Sequence, residues 1–161
     1  MTHTELLEII SNGENSGVEF KRDDVHPEDL AKAIVAFANF RGGKVLLGVE
    51  DNKSISGLTK PTPQTWVMDT VFGRYIEPAI IPYYEEITTD QGRVAIITVA
   101  MGTATPYAVK RNDRADIYIR IGDVSRLETR KQILRMAQES GLFHSEILPV
   151  SGYSLEDINI A

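Results

Sequence analysis

Three carboxylates carry the sharpest chemical suggestion in this chain of 161 residues. Glu14 falls in a loop, Glu19 on one face of the alternating segment Val18-Glu19-Phe20-Lys21, and Asp51 just past a short apolar strand. If the two strands are neighbours, the three groups converge. Carboxylates at close quarters repel, and a divalent cation relieves that repulsion. Mg²⁺ or Mn²⁺ held among carboxylates and phosphate oxygens orients an attacking water and stabilises the leaving oxygen. Lys21, on the same strand face as Glu19, then pairs with a phosphate or with a carboxylate. The competing interpretation is a solvated acidic rim without metal, the ordinary fate of charged side chains. Glu50 is set apart from Asp51, because strand alternation points the two in opposite directions.

A second constellation is cationic. The net charge of −6 argues against a general polyanion binder, yet the charge is unevenly distributed. From Thr105 to Arg135 there are eight basic and four acidic side chains, a net of +4, against nine basic and nineteen acidic elsewhere, a net of −10. Tyr118 and Arg120 alternate onto one strand face, offering a ring for stacking beside a guanidinium for phosphate. Lys110, Arg111, Arg126 and Arg130 extend the track. Pairing of these cations with Asp113, Asp116, Asp123 and Glu128 on a solvated surface is the competing outcome.

Other chemistries are excluded. The chain has no cysteine, so it has no disulfide framework, thiolate zinc site or cysteine nucleophile. Gly42-Gly43 follows a helix instead of opening one, and no Gly-x-x-x-x-Gly-Lys-Ser/Thr run exists, so a phosphate loop of the ATPase kind is absent. His3, His26 and His144 lack ligand spacing, and Ser125, Ser140 and Ser151 lack the context of a nucleophile elbow. The start Met1-Thr2-His3-Thr4-Glu5 has no signal-peptide character, and apolar runs are too short to span a bilayer, so a cytoplasmic protein is the expectation.

The elements that must position these groups follow from periodicity. Thr4 to Ile10 predicts a short helix stopped by Ser11-Asn12-Gly13, and Val18 to Lys21 a strand. Pro27 suits the first turn of a helix carrying Leu30, Ile34, Phe37 and Ala38, with Asn39 and Gly42-Gly43 closing it. Lys44 to Val49 predicts a strand, and Pro63 to Ile76 a helix with Trp66, Val67, Val71 and Phe72 as its apolar stripe. Tyr83 to Thr88 and Arg93 to Val99 flank a hairpin turn at Asp90-Gln91-Gly92. Tyr107 to Lys110 and Asp116 to Ile121 flank a polar turn, with Ile117, Ile119 and Ile121 sharing a face. A last helix runs from Glu128 to Glu139, capped by Gly141.

Four segments, in this order and spacing, resemble the Schlafen-type AlbA-like domain: Glu14 to Lys21; Ala36 to Gly43 running into Val45 to Asp51; Ile76-Glu77-Pro78; and Thr105-Pro106-Tyr107 with Tyr118 to Gly122. The resemblance implies a single mixed α+β domain, a mixed sheet flanked by helices, spanning 1–150, with 151–161 as the start of a linker or of a truncated following domain. It also implies binding of DNA or RNA. Such domains are found in bacterial and archaeal predicted transcriptional regulators, often with a C-terminal winged helix, and were formerly called divergent AAA ATPases. Vertebrate relatives include metal-dependent endoribonucleases whose three acidic residues fall here on Glu14, Glu19 and Asp51, with Mg²⁺ or Mn²⁺ as the implied cofactor. They also pair two similar lobes, and for a single copy the resemblance implies a homodimer as the counterpart of that pairing. Phe40, Arg41 and Asp123 depart from the family pattern, and its zinc ligands have no counterpart. The expected function is therefore a nucleic-acid-binding module of a regulator, with a metal-dependent RNA endonuclease and a dimerising assembly module as alternatives.

Overall fold

The computed structural model describes residues 1–127 together with Gln138. The first helix, α1, spans His3–Asn12, somewhat longer than its apolar stripe predicts. Thr2 explains the earlier start: its hydroxyl accepts from the Glu5 amide while the Glu5 carboxylate accepts from the Thr2 amide, a reciprocal cap. Strand β1 (Val18–Lys21) leads through α2 (Pro27–Ala38) to β2 (Gly42–Leu47), which lies parallel to β1. This crossover makes the sheet mixed, because β4 (Tyr83–Thr89) and β5 (Gly92–Ala100) form the expected antiparallel hairpin and β5 pairs with β2. The strand order is β1-β2-β5-β4.

Helices cover both faces of this sheet. Leu30, Ile34 and Phe37 of α2 pack on Val45, Leu47, Ile97 and Val99, while Leu6 and Ile10 of α1 pack on Phe20, Leu46, Val94 and Ile96. Alternation along β2 and β5 thus feeds two apolar layers, the pattern of a strand buried on both sides. The glycine pair is needed where β2 passes its neighbours. At Gly42, with φ +79°, an added Cβ would lie 2.5 Å from the Val99 carbonyl oxygen. One at Gly43 would lie 2.5 Å from the Phe37 ring.

The helical segment α3 is a succession of α-helical Pro63–Thr65, π-helical Trp66–Phe72 and α-helical Gly73–Tyr75, with Val67, Val71 and Phe72 in the core. It runs directly into β3 (Ile76–Glu77), which pairs with β6 (Ala108–Arg111), and β6 pairs with β7 (Arg114–Asp116). The strand expected from Asp116 to Ile121 breaks at Ile117. Asp116 pairs with Val109, whereas β8 (Tyr118–Ile121) pairs with β9 (Val124–Leu127) instead. Among the described residues no helix is long and apolar enough to cross a membrane. The helix expected from Glu128 to Glu139 and the tail at 151–161 lie outside the described residues, apart from Gln138.

Candidate functional site

Glu14, Glu19 and Lys21 come together at β1. The loop before the strand is held by a bridge between Asn15 and Val18, and the Glu14 carboxylate accepts from the Phe20 amide at 2.9 Å. Glu14 is also hydrogen-bonded to Glu19. Burial, that bond to Glu19 and the nearby negative charges of Glu19 and Asp51 outweigh the Phe20 amide and push its carboxyl up to about 7. Burial also acts to raise Glu19. The hydrogen bonds from Glu14 and Arg120, with the charges of Lys21 and Arg120, overcome it and hold Glu19 below its ordinary value. The pair therefore shares one proton around neutrality, on Glu14.

Arg120 is the residue that organises this cluster, and it is buried, at 1% exposure. Its guanidinium pairs with Glu19 and donates to the backbone carbonyls of Asn15 at 2.9 Å and Val18 at 3.1 Å. It also stacks 4.9 Å from the centre of the Phe37 ring on α2. The expectation of Arg120 as a phosphate ligand on an open face is thus corrected. The alternation was right, but the face bearing Tyr118 and Arg120 turns inward against α2, while Ile121 on the other face is 48% exposed. The physical reason is that β1 and its loop supply an anion and two carbonyls to the two terminal nitrogens, and α2 supplies an aromatic face. The guanidinium is thereby held in the interior, although its Nε has no hydrogen-bond partner. Tyr118 is likewise buried. Its hydroxyl accepts from Arg111, and its backbone carbonyl accepts from Asn39.

Asp51 stays apart. Strand β2 ends at Leu47, and Gly48, at φ +102°, turns the chain away, so the alternation expected to separate Glu50 from Asp51 does not reach them. Both line one open cleft of about 440 Å³ with Lys21, Arg22 and Asn52, and Glu50 pairs with Arg22 at 2.9 Å. The carboxylates do not fit a resident Mg²⁺ or Mn²⁺. The oxygens of Glu19 face Arg120 and Lys21, the latter at 3.3 Å, and Glu14 is committed to the Phe20 amide and to Glu19. Among the described residues no set of three His, Cys, Asp or Glu side chains is placed to hold a metal ion. Lys21, left open between phosphate and carboxylate, takes the carboxylate.

The remaining cations divide between tethered and available. Arg111 is tethered: it pairs with Glu28 and with Asp116 at 2.9 Å, and donates to the Tyr118 hydroxyl at 3.2 Å. Lys110, one residue earlier, lies on the opposite side of β6 and forms no ion pair among the described residues. It shares that side with Ala108 and Ala115, which pack with Ile117 and Ile119, and Arg126 stands opposite Ile119 in the next hairpin. Arg126 is exposed. Arg130 lies outside the described residues. Arg114, at the tip of the β6–β7 hairpin, is also exposed apart from one 3.3 Å contact with Asp116. The tip reverses at Asn112, whose φ of +53° is a conformation asparagine accepts more readily than most residues. Around it opens a cleft of about 450 Å³ lined by Glu28, Tyr75, Lys110, Arg111, Asn112, Asp113 and Arg114.

Two contributors escape sequence reasoning. Asn39, legible only as a helix cap, donates its amide to the carbonyls of Tyr107 and Tyr118, both at 2.8 Å, and accepts from the Tyr107 amide at 2.6 Å. Tyr75 reads as the end of a helix, and only the fold brings it beside the hairpin tip.

Residues 14–129 match the family model described as Schlafen, AlbA_2. The chain belongs to the Schlafen AlbA_2 family. No curated protein matches it. Among solved structures, the DIP2311 protein from Corynebacterium diphtheriae is similar over 78% of this chain, with a TM-score of 0.60 and 24% identity. The match covers 24% of that protein, so this chain corresponds to about a quarter of its length. The N-terminal domain of a protein from Nitrosomonas europaea, described as related to the ATP-dependent DNA helicase RecG, is similar over 78% of this chain and 92% of its own, with a TM-score of 0.58 and 21% identity. At these identities the likeness shows a shared fold. The expected mixed α+β architecture of a Schlafen AlbA-like domain is therefore the one observed.

Proposed function

We propose that this Schlafen AlbA_2 domain is a nucleic-acid-binding module that grips the sugar–phosphate backbone with Lys110, Arg114 and Arg126. The observation that carries this reading is the cationic wall of the hairpin-tip cleft, where Lys110 and Arg114 flank the tethered Arg111. Arg126, exposed on the outer side of β9, supplies a further cation. The overall charge is negative, so the contact surface is confined to this region, and phosphate neutralisation supplies the affinity. The family assignment supports the reading, and so does the fold shared with a domain of a RecG-related protein. A transcriptional regulator is the parent protein we favour, on the resemblance of the sequence segments to domains of predicted regulators. The carboxylate cluster serves this module as a scaffold, since Arg120 and Lys21 occupy the Glu19 oxygens.

Fluorescence anisotropy with labelled DNA and RNA at low and moderate salt tests the proposal. Combined replacement of Lys110, Arg114 and Arg126 by alanine is expected to weaken binding strongly and to reduce the slope of log K against log salt by about 2–3. Undiminished affinity in that triple variant overturns it.

A further inference from the structure

We infer that the hairpin-tip cleft receives one unpaired base, so that the module prefers single-stranded to duplex nucleic acid; this rests on the nucleic-acid reading above. Three features of the cleft lead there. The first is shape. Bases in a duplex are read by elements that protrude into a groove, whereas this surface is a hollow of about 450 Å³. That volume falls in the range of small-ligand pockets, ~300–1,000 Å³. A base enters such a hollow only when it is out of the stack.

The second feature is polarity. A site for phosphate alone has no use for carboxylates, yet Glu28 and Asp113 line this one beside Lys110, Arg111, Asn112 and Arg114. Base edges present donors and acceptors together, and a mixture of carboxylate, carboxamide and guanidinium matches them. Lys110 and Arg114 flank the hairpin tip and suit the adjoining phosphates. Arg111 and Glu28 are fixed by pairing with each other, and Asp116 holds Arg111 as well, so this side of the cleft is already ordered before binding.

The third feature is Tyr75. It lines the cleft while packing against the main core, so its ring is held in place by the fold. A base stacked on a pre-positioned ring gains affinity without preference for sequence.

The test compares binding of a fluorescein-labelled short oligothymidylate with the same strand annealed to its complement. The native chain is expected to bind the single strand more tightly. Tyr75→Leu is expected to weaken single-strand binding by about 5–100-fold and to leave duplex binding unchanged. Tyr75→Phe, which keeps the ring, should restore the preference. Should Tyr75→Leu fail to fold, Asn112→Gly decides. Glycine accepts the positive φ, and loss of the carboxamide should lower single-strand affinity several-fold while sparing the duplex. Equal affinity for the two forms, or equal behaviour of Tyr75→Leu and Tyr75→Phe, overturns the inference and leaves backbone binding standing. So does an Asn112→Gly change that affects both forms alike or neither. Absence of binding to either form overturns both readings.

Discussion

The β8–β9 hairpin has an inner and an outer side, and each carries one arginine of the same cationic stretch. Arg120 on the inner side is buried against α2, with Glu19, two backbone carbonyls and the Phe37 ring around it. Arg126, six residues later, stands on the outer side opposite Ile119 and is exposed. Their difference teaches that a segment's net charge predicts a surface only after each cation has been assigned a side. On the inner side the positive charge holds the halves of the molecule together. On the outer side it remains available to an external anion.

Replacing Arg120 by alanine should show the largest effect, because it strands Glu19 beside Glu14 without its guanidinium. A loss of about 3–5 kcal/mol, measured by urea unfolding, is the expected cost of breaking a buried pair. A change as small as that of a surface residue would erase the distinction between the two sides. Asn39→Ala should come next, at about 1–3 kcal/mol, since it leaves the Tyr107 amide and two carbonyls without a partner. Its effect sharpens the comparison by showing how much of the inner attachment is independent of charge.

A subtler effect is expected from pH. Glu14 is raised from 4.5 to about 7, so the folded state binds more protons than the unfolded chain between those values. Its contribution is fully present below pH 4.5 and is lost as pH rises to about 7. Glu19, lowered, contributes in the opposite sense: its stabilisation is present above its unfolded value and lost as pH falls through its folded one. Unfolding midpoints across pH 4.5–7 should therefore decline for the native chain, and Glu14→Gln should flatten that decline. If the variant retains the full pH dependence, the shared proton lies elsewhere. Arg126→Ala is expected to have the smallest effect on stability, within about 0.5 kcal/mol, while weakening nucleic-acid binding. A larger stability loss would place Arg126 with Arg120.

Much of the fold is legible in the sequence because it rests on local periodicity. The alternation of Val18 to Lys21, the stripe Leu30, Ile34 and Phe37, and the turn between Tyr83 and Val99 each identify an element without reference to the others. The site is less legible. Alternation from Ile117 to Ile121 separates two faces but does not say which one meets α2, and three isoleucines argue for the wrong one. Only the arrival of Glu19 and Phe37 at the same place reverses the assignment. The alternation that set Glu50 apart from Asp51 fails for a local reason, since the strand ends at Leu47 and Gly48 turns the chain before the pattern can be extended to Glu50. The cleft at the hairpin tip joins Glu28, Tyr75 and Asn112 from three distant stretches, and no spacing in the chain marks them as neighbours.

The bonds from Arg120 to the carbonyls of Asn15 and Val18 span 105 and 102 positions of the chain. During synthesis, which proceeds from the N-terminus, the loop around Asn15 leaves the ribosome long before its anchor exists. The amino-terminal carboxylates therefore wait, unclasped, until β8 has emerged. Contacts of such sequence separation slow folding, and the last described hairpin is the one that locks the first strand into its final form.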